Sequence, residues 1–309
     1  MDTILTDFPK IEDVHPFYAD LLNVLYDRDH YKMALGQLNL TKNRITALAR
    51  EYVKLLKYAD SLYRAKKLKK AALGRMVTLL KKQKKAFQYL EQVRQHMSRL
   101  PNIDPTTRTL LVCGAPNCGK SSFMNHVSRA KVDVQSYAFT TKALYVGHFD
   151  HNFLRWQVID TPGLLDHPLE DRNTIEMQSI TALAHIRSCI LFFVDLSEEC
   201  GYTITEQCDL FKSIQPLFAS KPTCIVCSKN DLRKMDQLHP DELQLVQDTF
   251  KGYPITSLSN STQDNVLDVR SNACEMLLSQ RLEAKYKKQH VDSVLDKLNV
   301  ALSQRRDDI

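Results

Sequence analysis

The chain has 309 residues, enough for two domains, and its 43% hydrophobic content permits ordinary globular cores. Its longest apolar run, Cys189 to Val194, is far too short to span a bilayer, and the acidic start MDTILTDFPKIED lacks the basic and apolar regions of a secretory signal. The net charge of +6 is unevenly spread: residues 1–100 hold 20 Lys and Arg against 10 Asp and Glu, and the remainder 22 against 26.

The front third reads as helical. A short helix is expected from Phe17 to Tyr26, after Pro16. Residues 28–57 then carry an apolar seam of Tyr31, Leu35, Leu38, Ile45, Ala49, Tyr52 and Leu56, interrupted only by Lys42. A second seam runs through Met76, Leu79, Leu80, Phe87, Leu90, Val93 and Met97. Such stripes predict long amphipathic helices that bury their faces against each other in a bundle. Between and opposite them stand Lys66, Lys67, Lys69, Lys70, Lys81, Lys82, Lys84 and Lys85. From Arg64 to Arg99 there are 12 basic residues and one acidic, Glu91. A bias this strong exceeds what a solvated face needs, and it predicts a partner rich in phosphate, structured RNA before an acidic protein. The run RAKKLKK, Arg64 to Lys70, also resembles a nuclear localisation patch.

Pro101 and Pro105 make a short stiff linker, after which the pattern changes to α/β. Arg108 to Cys113 reads as an apolar strand and Lys120 to Arg129 as a helix. Between them Gly114, Ala115, Pro116, Asn117, Cys118, Gly119, Lys120 and Ser121 fit G-x-x-x-x-G-K-[ST] without mismatch, with Ser122 following. Backbone N–H groups must approach a polyphosphate closely, so glycines stand where a Cβ would intrude. Lys120 supplies a full charge to the outer phosphates, and the Ser121 hydroxyl suits Mg²⁺. Thr140 and Thr141, in YAFTTK, lie where a switch threonine should meet the metal and the γ-phosphate, and either of the two fits.

A second strand, Leu154 to Ile159, ends in Asp160, Thr161, Pro162 and Gly163. The carboxylate there is placed to hold Mg²⁺, and the Gly163 N–H to meet a γ-phosphate. The next residue is Leu164, which cannot orient a water molecule as a glutamine would. Another strand, Thr223 to Cys227, leads into Ser228, Lys229, Asn230 and Asp231, whose carboxylate can accept two hydrogen bonds from guanine that adenine does not offer. After the strand-like Tyr253 to Ser257, the turn Ser259-Asn260-Ser261 is placed over a base. Together these segments predict a guanine-nucleotide site with Lys120, Thr141 and Gly163 as its catalytic contacts. Asn117 either coordinates K⁺ beside the phosphates, doing the work of an arginine finger, or only hydrogen-bonds the loop. The eight cysteines lack framework spacing, and Cys224-x-x-Cys227 lacks a second ligand pair, so they read as core thiols of a reducing compartment.

A helical bundle followed in order by GAPNCGKSS, YAFTTK, WQVIDTPG and a late base loop resembles the Obg-related GTPases. More narrowly, HPFYADLLNVLYDRDHYKMALGQLN, KLLKYADSLYRAKKLKKAALGRM, QYLEQVRQHMSRLPNIDP and TIEMQSITALAHIR resemble the nucleolar GTP-binding protein (Nog) family over nearly the whole chain. The resemblance implies a GTPase bound to precursors of the large (60S) ribosomal subunit, with ribosomal RNA and other assembly factors as partners, in the nucleolus and nucleus. Family members usually begin earlier and continue into a long C-terminal region, which predicts either a reduced paralogue or an incomplete form. Ser228 stands where the family has Asn, which loosens the expected tie between base loop and phosphate loop, and Cys118 stands for a usual valine.

The expected fold is thus a basic α-helical bundle over residues 1–104, a P-loop α/β domain with a mainly parallel sheet over 105–285, and a short basic helical tail over 286–309. The expected function is a slow GTPase switch in large-subunit assembly, with GTP or GDP and Mg²⁺ as ligands. The competing expectation is a non-hydrolysing module whose bound nucleotide orders a docking loop. A membrane role has only basic charge behind it, and none is expected.

Overall fold

The computed structural model describes residues 1–98, 102–129, 143–165 and 172–289. They form two compact units, Met1–Ile103 and Asp104–Ile309.

The first unit is all helical: α1 (Asp2–Asp7), α2 (Pro16–Leu25), α3 (Arg28–Lys57), α4 (Leu62–Lys82) and α5 (Lys84–Met97). Local chemistry sets the helix starts. Pro16 opens α2 with the His15 ring accepting from the Phe17 N–H. The Asp27 carboxylate takes the N–H groups of Asp29 and His30 at 2.8 and 3.1 Å to cap α3, and Ser61 caps α4. The core gathers Ile11, Tyr31, Ala34, Leu38, Ala86, Leu90 and Val93. Burying Leu90 or Val93 there stabilises the unit by about 1.5–3 kcal/mol each.

Two features depart from the periodicity. The seam from Met76 to Met97 is broken at Gln83, where α4 ends and α5 begins. The far half of the α3–α4 hairpin is also not buried as its stripes predict. α4 buries only Ala72, and Leu56 and Leu80 are exposed along with Val53, Tyr58, Leu62, Tyr63, Leu73 and Val77. Period identifies an apolar face; whether a neighbour covers it depends on where the chain turns. The eight lysines between Lys66 and Lys85 are all exposed, so the hairpin presents apolar and basic groups together.

The second unit is a six-stranded sheet in the order β2-β3-β1-β4-β5-β6, with β1 (Arg108–Gly114), β2 (Tyr145–His151), β3 (Leu154–Asp160), β4 (Ser188–Asp195), β5 (Thr223–Ser228) and β6 (Ile255–Ser257). All neighbouring pairs are parallel except the β2–β3 hairpin, whose turn residues Asn152 and Phe153 adopt φ 51° and 60°. Among the described residues its α-helices are α6 (Lys120–Val127), α7 (Thr174–His185), α8 (Ile204–Ile214), α9 (Pro240–Thr249) and α10 (Val266–Gln289). The central strand β4 is buried at every position, as a strand covered on both faces must be. Phe192, Phe211 and Phe250 form its largest aromatic contact, with centroids 5.0–6.3 Å apart. At the entry to β1 the Asp104 carboxylate accepts from the Thr106 and Thr107 hydroxyls, which hold its pKa at about 2. The functional consequence of this topology is positional: the carboxyl ends of β1, β3, β4, β5 and β6 open on one edge of the sheet, where α/β folds bind ligands.

Candidate functional site

The loop from Gly114 to Ser121 leaves the end of β1 and runs into α6. Three of its residues have positive φ: Gly114 at 142°, Asn117 at 60° and Gly119 at 86°. Two glycines here are required by contact, and Gly114 by conformation as well. A Cβ on Gly114 would lie 2.5 Å from the Phe193 carbonyl oxygen, and one on Gly163 would lie 2.6 Å from Pro116 Cγ. Gly119 is the residue before α6, and no side chain caps the helix, so its first N–H groups face the loop. Lys120 is buried, its ammonium donating to the Gly114 and Ala115 carbonyls at 3.2 and 2.5 Å. A bound polyphosphate would give that ammonium oxygen partners with full charge in place of two carbonyls. Ser122, the third residue of the helix, is half-buried.

Beside the loop, the Ser121 hydroxyl donates to the buried Asp160 carboxylate at 2.5 Å. A hydroxyl and a carboxylate in contact are hard oxygen donors, and they fit Mg²⁺. The segment after Asp160 is laced to β1. Thr161 donates to the Val112 carbonyl through both its N–H and its hydroxyl, and the Leu164 N–H donates to Gly114 at 3.2 Å. Ser179 of α7 donates to the Pro162 carbonyl at 3.2 Å, and the Leu165 N–H to Glu176 at 3.0 Å. Leu164 is fully buried, so this position supplies no group to hold a water. A cavity of about 270 Å³ opens here, lined by Ala115, Leu164, Leu165, Tyr202, Glu206, Gln207 and Leu210. Thr140 and Thr141 lie outside the described residues.

On the base side, Asp231 accepts from the Ser259 hydroxyl at 2.6 Å and the Ser261 hydroxyl at 2.8 Å; these bonds, Ser259 first, lower its pKa. The carboxylate is thereby oriented and kept ionised, as recognition of the guanine edge requires. Burial alone would lower the pKa of Lys229, but the carboxylates of Asp195, 2.7 Å from its ammonium, and Glu199 raise it. Ser228 is buried, and its hydroxyl goes to the Val194 carbonyl at 3.2 Å. The link between base loop and phosphate loop comes from elsewhere: Asn260 Nδ2 donates to the Gly119 carbonyl at 2.9 Å. The loosening expected from Ser228 is therefore offset by an amide on the other base loop.

Two contributors escaped the sequence reading. Asp195, at the carboxyl end of β4, accepts from Ser197 twice, from the Cys200 N–H and from Lys229. Gln207 of α8 holds the Asp195 backbone at both its N–H, 2.8 Å, and its carbonyl, 3.0 Å. Asp195 did carry a signal: like Asp160 and Ser228, it is the first polar residue after an apolar strand.

The model for the NOG1 N-terminal helical domain matches residues 1–104, and that for nucleolar GTP-binding protein 1 matches 174–231. A model for ferrous iron transport protein B matches 108–199, the stretch carrying the phosphate loop. A solved structure of nucleolar GTP-binding protein 1 from Plasmodium falciparum is 46% identical, covers 64% of this chain and 99% of its own, and superposes with a TM-score of 0.53. The chain belongs to the nucleolar GTP-binding protein 1 family. Curated members agree: that of Caenorhabditis elegans is 60% identical over 99% of this chain and 46% of its own length, and that of Drosophila melanogaster 56% over 100% and 48%. The chain thus spans about half the length of the curated relatives it matches. The family assignment agrees with the resemblance carried by the motifs, and its helical domain followed by a P-loop domain is the architecture described above. No helix among the described residues is long and apolar enough to cross a membrane.

Proposed function

We propose that this chain binds GTP and GDP with Mg²⁺ and acts as a slow GTPase switch in biogenesis of the large ribosomal subunit, in the nucleolus. The observation that carries the nucleotide reading is the convergence of three chemistries on one sheet edge. These are the glycine-dependent phosphate loop, the Ser121–Asp160 oxygen pair, and the Asp231 carboxylate fixed by two hydroxyls. The place of action rests on the relatives, which are named nucleolar GTP-binding proteins. The partner reading rests on the helical unit, whose exposed lysines would meet pre-60S particles through ribosomal RNA, beside other assembly factors.

Slow turnover follows from Leu164, which is buried and apolar where a water-orienting group would stand. The same residue favours the second reading, a scaffold that docks according to the nucleotide it holds and does not hydrolyse it. The test is identification of the nucleotide carried by the purified protein, with GTP and ATP affinities and turnover measured with and without pre-ribosomal particles. Equal affinity for ATP and GTP would overturn the guanine reading; no hydrolysis even on particles would leave the scaffold.

A further inference from the structure

Two of the eight cysteines, one of them in the phosphate loop, flank a single buried amide. All eight are free and buried. Six of them lie within β1, β4, α8, β5 and α10, where regular backbone fixes their Cβ atoms. Cys118 and Cys200 are different, because both sit on loops: Cys118 between Asn117 and Gly119, and Cys200 in the turn after β4. They bracket one amide. The Cys118 thiol reaches Gln207 Oε1 at 4.0 Å, and Gln207 Nε2 donates to the Cys200 sulfur at 3.6 Å. Cys118 Sγ also lies 3.7 Å from the Pro116 carbonyl, and Cys200 Sγ 3.6 Å from the Tyr202 carbonyl. The two thiols perturb each other, Cys118 lowering the pKa of Cys200 while its own is raised, and Lys229 adds to the lowering at Cys200. Neither thiol is needed for the nucleotide chemistry described above. The cavity lined by Ala115, Leu164, Tyr202 and Gln207 reaches the same glutamine.

We propose that Cys118 and Cys200 form a redox modification site, at which a hydroperoxide closes a disulfide that disables the phosphate loop. The Cys200 thiolate attacks one peroxide oxygen, the O–O bond breaks, and the departing hydroxide takes a proton to become water. The sulfenic acid left on Cys200 is then attacked by the Cys118 sulfur. The S–S bond forms as the S–O bond breaks, and the hydroxyl leaves as water with the proton of Cys118. Two thiols lose two hydrogens and two electrons, and one hydrogen peroxide becomes two waters. A disulfide fixes its Cβ atoms about 3.5–4.5 Å apart. Here that constraint acts on the residue between Asn117 at φ 60° and Gly119 at φ 86°, two of the three positive-φ positions of the loop. The effect on nucleotide rests on the reading that this loop holds its phosphates; the chemistry of the thiol pair does not.

The experiment uses the full chain, nucleotide-free, titrated with hydrogen peroxide, followed by peptide mass mapping and GTP titration. The expected first product is a Cys118–Cys200 linked peptide lighter by two hydrogens. GTP affinity should fall at least tenfold and be restored by dithiothreitol. Cys200→Ser should keep its GTP affinity through the same exposure, and Cys118→Val should stop at a Cys200 sulfenic acid that dimedone traps. The proposal is overturned if both cysteines remain open to alkylation after other cysteines have oxidised, or if another pair closes first. A disulfide that forms in a protein with no GTP affinity before treatment would leave the thiol chemistry standing and remove the nucleotide reading.

Discussion

Asn260→Ala removes one hydrogen bond, from Nδ2 to the Gly119 carbonyl at 2.9 Å. Its expected cost to folding is small. Such a bond contributes about 1 kcal/mol net, and the same change removes Oδ1, which is buried without a partner among the described residues and carries a desolvation cost of similar size. The two terms oppose each other, so the melting temperature should hardly move. Nucleotide affinity should move more, because the tie holds Gly119 at φ 86° directly before Lys120. An untied loop must be ordered again on binding, and about 1.4 kcal/mol of that cost is a tenfold rise in Kd. Asn260→Asp sharpens the test by keeping size while turning the donor into an acceptor that faces a carbonyl, at a cost of about 1–3 kcal/mol. The facing carbonyl raises the pKa of the new carboxyl, since only its protonated form can donate to Gly119. Its penalty is therefore absent below the ordinary aspartate value and complete above the raised one, so affinity should recover on acidification toward about pH 4. The assay is calorimetric titration of GTP and GDP into wild type and both variants across pH, beside their melting curves. Wild-type affinity in Asn260→Ala, or a flat pH profile in Asn260→Asp, would refute the argument.

Asp231→Asn should lower GTP affinity by about 10- to 150-fold, the equivalent of about 1.5–3 kcal/mol for a hydrogen bond to a charged group, and should gain xanthine nucleotide in direct competition. Because Ser259 and Ser261 lower the pKa of Asp231, wild-type guanine selection should stay flat through the ordinary aspartate range near pH 4 and fade only as pH drops through the lower value, read by GTP titration in acid. Reversing Lys66, Lys67, Lys69 and Lys70 to glutamate should weaken binding to ribosomal RNA and flatten its salt dependence, with GTP affinity unchanged; filter binding across salt concentrations checks this. GTP turnover in matched potassium and sodium buffers decides the role of Asn117, with faster turnover in potassium, lost in Asn117→Ala, expected if its amide holds the cation.

The parts of the site legible in the sequence are those with one-dimensional reasons. Gly114, Gly119 and Lys120 must stand at fixed spacing because one turn of backbone wraps one phosphate. Asp160, Ser228 and Asp231 stand out because polar groups follow apolar strands. Asn260 was placed over the base, but its reach to Gly119, 141 positions away in sequence, follows from the β1 and β6 ends facing one edge. No local pattern encodes that. Gln207 was invisible for another reason. On α8 it looks like any polar helical residue, and only burial against Asp195 gives it a role. In the helical unit the seams located Tyr31, Leu38, Leu90 and Val93 in the core, yet they overstated burial at Leu56 and Leu80. The apolar period continues along α3 and α4 beyond the region where α5 covers them.

These contacts divide the site into two halves of different readiness. On the base side, Asp195 is fully buried and accepts four hydrogen bonds, and Lys229 is already paired with it, so the platform is set by the protein's own groups. On the phosphate side, the Lys120 ammonium rests on the Gly114 and Ala115 carbonyls, and Ser121 is engaged with Asp160. A bound nucleotide with Mg²⁺ would exchange those partners for phosphate oxygens and the metal. On the proposed reading a guanine ring would meet a formed surface, while a triphosphate would drive the rearrangement with the charge it brings. GDP and GTP would share the base half, so a difference between them would arise on the phosphate side, where the sequence places Gly163 and Thr140 or Thr141. Asn260, through the Gly119 carbonyl, is a route by which the formed half constrains the other.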